Sequence, residues 1–371
     1  MGHSDRNRLG FSVLVTAAVL TGCNAGVSST AMTPTDSIIA KRVCPQIVGQ
    51  ASCTAEVESP SGFGVAVAGW TPADLQARYK LPSSTMGAGR IVATVEAYDN
   101  PNVAADLAAY RSEFGLGAAT LRKYNEHGQM KNYPSPNSEW GVAIDLDVEM
   151  ISASCPLCTI YLVEANSAYS SDLNAAEKEA VKLGAHIVSN SWVCSGSAST
   201  CLDQSYFETP GVEYLGATGD GGFGPFAPAG FEHVAAIGGT TLSKSGSQYS
   251  ERALNGVGGC DTKLPKPPWQ HDTVCSGRAI SDASAVASGV AEYDTYQNRG
   301  WITIGGTAVS TPLLAGVFGL AGNASKQDGG RTFWEKKHRK DLYNVCGSSG
   351  CLFKRYSYGG GWGSPNGIGA F

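Results

Sequence analysis

Residues 305–316 read GGTAVSTPLLAG, a Gly-Gly-Thr turn that runs into an apolar helix carrying Pro312. A side chain at position 308 stands at the start of that helix. Unpaired backbone N–H groups there can hold a reacting group and stabilise a developing oxyanion. The small residues Gly305, Gly306 and Thr307 let another backbone approach closely. Such a segment suits the display of a nucleophile, yet position 308 is Ala308. The plainer reading is a glycine-rich turn into a buried helix, with Leu313, Leu314, Val317, Phe318 and Leu320 as core. The segment alone leaves both open.

The remainder of the chain bounds the class. Its 371 residues, 42% hydrophobic with 47 glycines, can bury a substantial core in one large domain. A formal charge of −5 gives no basic field for phosphates. The cluster at 335–340 (EKKHRK) reads as a solvated helix face, so no nucleic-acid partner is expected. Arg6 and Arg8 precede the apolar stretch 9–20, which is short for a bilayer span and fits an export signal over residues 1–22. It ends in Leu20-Thr21-Gly22-Cys23, which resembles a bacterial lipobox. Cys23 is thus the expected lipidation site and the expected anchor to a membrane, in the bacterial cell envelope. An ordinary signal peptide, leaving a secreted chain, is the alternative.

Removing Cys23 from the 11 cysteines leaves ten. They form five close pairs: Cys44/Cys53, Cys155/Cys158, Cys194/Cys201, Cys260/Cys275 and Cys346/Cys351. In an exported protein these read as local disulfides. A lone CxxC at 155–158 is a weak zinc or redox signal. Residues 23–68, rich in Ser, Thr, Ala and Gly, read as a tether carrying one small loop. A compact domain is expected over 69–371, opening with Thr71 as N-cap and Pro72 in the first turn of a helix through Tyr79.

From there β-rich runs at 90–97, 159–164, 186–192, 212–217 and 233–238 alternate with helical segments at 103–114 and 172–183. Short apolar strands alternating with helices predict an α/β fold, a mainly parallel sheet with helices on both faces. Sites in such sheets gather beyond the carboxyl ends of strands. Two acidic candidates follow. Asp220 lies on the glycine-rich turn after residues 212–217, placed to enter a cleft or merely to bond its own turn. Over 142–150 apolar and acidic residues alternate, which by periodicity predicts a strand. Were it helical, Ala143 and Asp147 would share a face.

Several phrases, in order, tie these pieces together: GWTPADL at 69–75, VATVEAYDNPN at 92–102, IDLDVEMISASCPLCTIYLVEA at 144–165, SNSW at 189–192, ATGDGGFG at 217–224, AAIGGTTL at 235–242, SDASAVASGVAEYDTY at 281–296 and GGTAVSTP at 305–312. On these the chain resembles the sedolisin family of serine-carboxyl peptidases, whose members have a subtilisin-like fold. The resemblance covers nearly all of 69–371. It implies a Glu base one helical turn before a partner Asp, a Ser nucleophile, and a second Asp that donates to the oxyanion when protonated. The partner Asp falls on Asp147 and the oxyanion Asp on Asp220. The Glu position falls on Ala143 and the Ser position on Ala308. The same resemblance implies a calcium site beginning at Asp341 and Leu342, weakened because the glycine-rich loop at 359–363 has Gly where a final carboxylate is expected.

No neighbouring residue takes over. Glu139 lies two turns before Asp147, Asp145 points elsewhere, and Ser310 is about 200° around the helix from position 308. Losing the nucleophile of a cooperating set costs ~10⁶-fold in turnover. The expectation is an exported endopeptidase homologue, inactive as written, that keeps a groove for a polypeptide substrate or peptide ligand. Deliberate inactivation of an acid-acting enzyme, and a purely structural surface lipoprotein, are the alternatives.

Overall fold

The computed structural model describes residues 40–58, 64, 66–195, 202–222, 226–298, 300–346 and 350–371. The export signal, Cys23 and Cys201 lie outside them. In chain order the strands are β1 (Lys41–Arg42), β2 (Ala51–Cys53), β3 (Glu56–Val57), β4 (Ile91–Ala97), β5 (Thr120–Asn125), β6 (Thr159–Ala165), β7 (Ile187–Asn190), β8 (Trp192–Ser195) and β9 (Glu213–Ala217). They continue with β10 (Phe226–Ala227), β11 (Val234–Ser245), β12 (Gln248–Ala253), β13 (Gly259–Asp261), β14 (Arg278–Ile280), β15 (Ala283–Val286), β16 (Val290–Asp294), β17 (Gly300–Gly305), β18 (Leu342–Tyr343) and β19 (Ser364–Pro365). The helices used below are α1 (Pro72–Tyr79), α2 (Val103–Glu113), α3 (Ser138–Ser154), α4 (Ser170–Lys182) and α5 (Thr307–Ala321).

Local chemistry explains several boundaries. Thr71 and Asp74 form a reciprocal capping box on α1, and Lys80 closes the helix at φ 54°. Asn137 starts α3 by accepting from the amides of Glu139 and Trp140, both at 2.9 Å. Gly322, at φ 69°, ends α5.

The main sheet has eight strands in the order β12-β11-β9-β7-β4-β6-β5, with β15 also paired to β11. Every neighbouring pair in it is parallel except β11 with β12. Helices cover it: α3 packs on α5, while α4 lies against β6, β4 and β7. The predicted mainly parallel, helix-flanked α/β sheet is therefore present.

One element differs from its periodicity. The alternating stretch 142–150 lies inside helix α3, not in a strand. From Trp140 to Ser154 this helix is buried all round, acidic positions included. Its sequence carries no solvent-facing stripe that would betray a 3.6-residue period.

Of the segment read as a tether with one small loop, residues 40–58 are built into the body. Cys44 and Cys53 close the loop as a disulfide, β2 joins β8 and β10 in one small sheet, and β1 and β3 join β17 and β16 in another. Cys155–Cys158, Cys260–Cys275 and Cys346–Cys351 are also bonded. Among the described residues no helix is long and apolar enough to cross a membrane.

Candidate active site

Asp147 projects from α3 toward the middle of β4 and the residue that follows β7. Its Oδ2 accepts from Thr94 Oγ1 of β4 at 2.5 Å and from Ser191 Oγ at 2.8 Å. Burial raises its pKa to about 7 against the opposing effect of those two donors. Glu96, two residues along β4 from Thr94, is fully buried, and burial followed by the charge of Asp147 raises its carboxyl well above the usual range. Ala143, one turn before Asp147, is fully buried and presents only a methyl group.

Ala308 is the second residue of α5 and is fully buried. The helix begins at Gly306, whose φ of 96° favours glycine. Asp220 caps this helix: Thr307 N donates to Oδ1 at 2.9 Å and Oδ2 at 3.1 Å, and Thr307 Oγ1 reaches Oδ2 at 3.2 Å. In turn Gly219 N donates to Thr307 Oγ1 at 3.1 Å. The turn thus does more than bond itself, because its carboxylate crosses to another element. Burial and the nearby charge of Glu56 raise the Asp220 pKa to about 7, against the Thr307 hydrogen bonds.

A feature the sequence reading missed joins these groups. Ser191, whose hydroxyl bonds Asp147, uses its carbonyl to accept from Thr54 N and Thr54 Oγ1, both at 3.0 Å. The Thr54 carbonyl faces the other way and accepts from Ala308 N at 3.4 Å. A Cβ at position 306 would lie 1.9 Å from that carbonyl oxygen, so only glycine admits the approach. The SNSW phrase was the visible sign of Ser191. Nothing in the composition of residues 40–58 marks Thr54.

The other candidates stand apart from this centre. Glu139 is exposed in the first turn of α3. Ser310 donates to its own helix, to the Thr307 carbonyl at 3.1 Å. Asp145 accepts from Asn100 Nδ2 at 2.6 Å and, with Asp106 and Asp294, forms a buried trio whose carboxylate oxygens lie within 4.8 Å of one another. That trio is knit into the protein by Thr295, Tyr296 and Asn298, which donate to Asp106 and Asp294.

At the predicted calcium position the Asp341 carbonyl accepts from Asn366 N at 3.0 Å. The Leu342 carbonyl accepts from Arg355 Nη2 at 2.6 Å, while Nη1 of the same guanidinium binds the Arg339 carbonyl at 2.7 Å. A cation held on the ligand carbonyl opposes a divalent ion there. The Arg355 guanidinium thus competes with any cation for the Leu342 carbonyl.

No family model matches the chain, and no curated protein sequence matches it. Solved structures do. Pseudomonas sedolisin, a serine-carboxyl proteinase, superposes with a TM-score of 0.66 at 20% identity over 81% of this chain and 96% of its own. Sphericase matches with a TM-score of 0.56 at 18% identity over 80% and 97%, and a lanthipeptide protease with 0.53 at 14% over 81% and 92%. The helix-flanked parallel sheet agrees with these neighbours, and the chain has the fold of sedolisin and the subtilisin-like peptidases.

Proposed function

We propose that this protein is an exported, lipid-anchored homologue of the serine-carboxyl endopeptidases that no longer hydrolyses peptides and instead holds extended polypeptide in the inherited cleft. One observation carries the reading: Asp147 is held by Thr94 and Ser191 and Asp220 by Thr307 at the start of α5, while Ala308, the second residue of that helix, offers no nucleophile. Ala143 offers no base. The oxyanion environment of a helix N-terminus persists, yet nothing can attack.

Binding is what these changes spare. The edges of β8 and β17 each accept an antiparallel strand through backbone hydrogen bonds, which depend on neither missing side chain. Pseudomonas sedolisin was solved with two molecules of pseudo-iodotyrostatin, in keeping with such a cleft. The disulfides fit an oxidising compartment, and Cys23 is the proposed anchor.

The test is peptide-library cleavage between pH 3 and 7 by the protein and by its Ala143→Glu/Ala308→Ser variant. The expected result is cleavage by the variant alone, by a factor on the order of 10⁴ or more. Acid-stimulated cleavage by the unaltered chain would refute the proposal of inactivity.

A further inference from the structure

We infer that residues 51–57 are the resident occupant of the cleft, lying across it as a bound peptide with the Thr54–Ala55 bond at the point of attack, so that another polypeptide enters only when this segment leaves. The inference rests on the reading of the cleft given above and adds what fills it.

The segment has the form of a strand bound by edge pairing on both sides of the centre. On one side β2 runs antiparallel to β8, with Ala51 opposite Cys194 and Cys53 opposite Trp192. On the other, β3 runs antiparallel to β17, with Glu56 opposite Gly305 and Val57 opposite Ile304. Between the two ladders lie Thr54 and Ala55, 6% and 1% exposed. The Thr54 amide is anchored on Ser191 O, and its carbonyl is turned onto Ala308 N at the start of α5. A carbonyl bound by the amide of the residue that would carry the nucleophile is in the position of a scissile group.

Further contacts hold the ends. The Cys44–Cys53 disulfide closes a loop just before Thr54, and Ser52 Oγ donates to the Cys44 carbonyl at 3.2 Å. Val43 N donates to the Ala55 carbonyl at 3.0 Å. Beyond β3, Glu58 N donates to Thr303 O at 2.8 Å and Glu58 Oε2 accepts from Gly289 N at 2.7 Å. Arg42 lies 3.8 Å from Glu56, beside Asp220. The small side chains Thr54 and Ala55 name the ligand class the centre takes: an extended segment with small residues on both sides of the central bond.

The decisive experiment uses the full chain carrying Ala143→Glu/Ala308→Ser. The introduced serine Oγ attacks the Thr54 carbonyl carbon and gives its proton to the introduced glutamate. The Thr54–Ala55 C–N bond breaks, and the glutamate returns the proton to the Ala55 amine. Water then hydrolyses the ester and leaves a Thr54 carboxylate. Intact mass and N-terminal sequencing after incubation at pH 4 are expected to show a chain beginning at Ala55. A variant that cleaves added peptides yet leaves Thr54–Ala55 whole, or that cuts itself only elsewhere, overturns the inference while leaving the peptidase-derived cleft intact. A variant that cuts nothing counts against that cleft instead. The inference is then decided by amide exchange on the unaltered chain, where the Thr54 and Glu58 amides are expected to be protected at least 100-fold over free peptide. Exchange at the free-peptide rate overturns it.

Discussion

The Cys44–Cys53 disulfide sets how firmly the occupant is held, and its removal gives a calculable loss. The bond closes a loop with a sequence separation of 9. When the segment undocks, the cross-link still restricts that loop, so its absence frees the undocked state alone. The loop-entropy relation gives a loss of about 2.6 kcal/mol at 25 °C for a ring of this size, or roughly an 80-fold rise in the undocked population. Cys44→Ala/Cys53→Ala is the appropriate change, because both sulfurs are buried and alanine leaves no unpaired polar atom behind. Exchange of the Thr54 amide, which donates to Ser191 O, reports undocking, and the Leu162 amide within β6 reports the main sheet. The expected result is a 30- to 100-fold loss of protection at Thr54 with Leu162 within threefold of the parent. Unchanged protection at Thr54 would show that the loop does not restrain the segment. Equal loss at both amides would show that the segment and the sheet open as one unit, and the reasoning would fail in either case.

Stability should favour acid. Burial raises Asp147, Asp220 and Glu58 each to about 7, Asp294 to about 6 and Glu164 to about 9. These are folded-state values above the ordinary ones near 4, so the folded chain binds more protons than the unfolded chain between pH 4 and 7. Their contribution is full below about pH 4 and is lost as pH rises through the folded values, a few kcal/mol in all after discounting for relaxation and partial exposure. Thermal unfolding should show a higher Tm at pH 4.5 than at pH 8, with a shallower slope for Asp147→Asn; a flat or rising profile would contradict the burial argument. At Leu342, neither EDTA nor millimolar calcium should move the Tm by more than about 1 °C, since RT ln(1 + [L]/Kd) vanishes for a site that does not bind. Arg355→Ala should cost about 1–3 kcal/mol by freeing the Arg339 and Leu342 carbonyls. A calcium-dependent Tm in the unaltered chain would restore the calcium site.

Much of the frame was legible because its signals are local. The Thr71 cap marks α1, residues 103–114 and 172–183 mark α2 and α4 to within two residues, and the apolar runs mark β4, β6 and β9. Helix α3 was not, since its three central acids serve different neighbours. Asp145 meets Asn100, Asp147 meets Thr94 and Ser191, and Glu149 accepts from Tyr293 N at 3.2 Å. A helix with polar partners on every side has no polar face, and its alternation then imitates a strand. Asp147, Asp220 and Ala308 were named from motif order. Their hydrogen-bond partners did not, because Thr94 and Thr307 are separated from them by 53 and 87 residues.

The strands of residues 41–57 escaped for a different reason, and that reason bears on function. Pairing at an edge draws on backbone N–H and C=O, which every residue but proline supplies, so the Ser-, Thr- and Ala-rich stretch shows no period of its own. What selects its register is the site: Ser191 O on one side of Thr54 and Ala308 N on the other. In a chain with a hydroxyl at position 308 and a base at position 143, that register would present the segment for cleavage. With Ala143 and Ala308 the same contacts persist as structure. On the inference drawn above, the two alanines and the buried segment are one arrangement: with neither base nor nucleophile at positions 143 and 308 the segment stays whole, and Thr54 stays anchored between Ser191 O and Ala308 N.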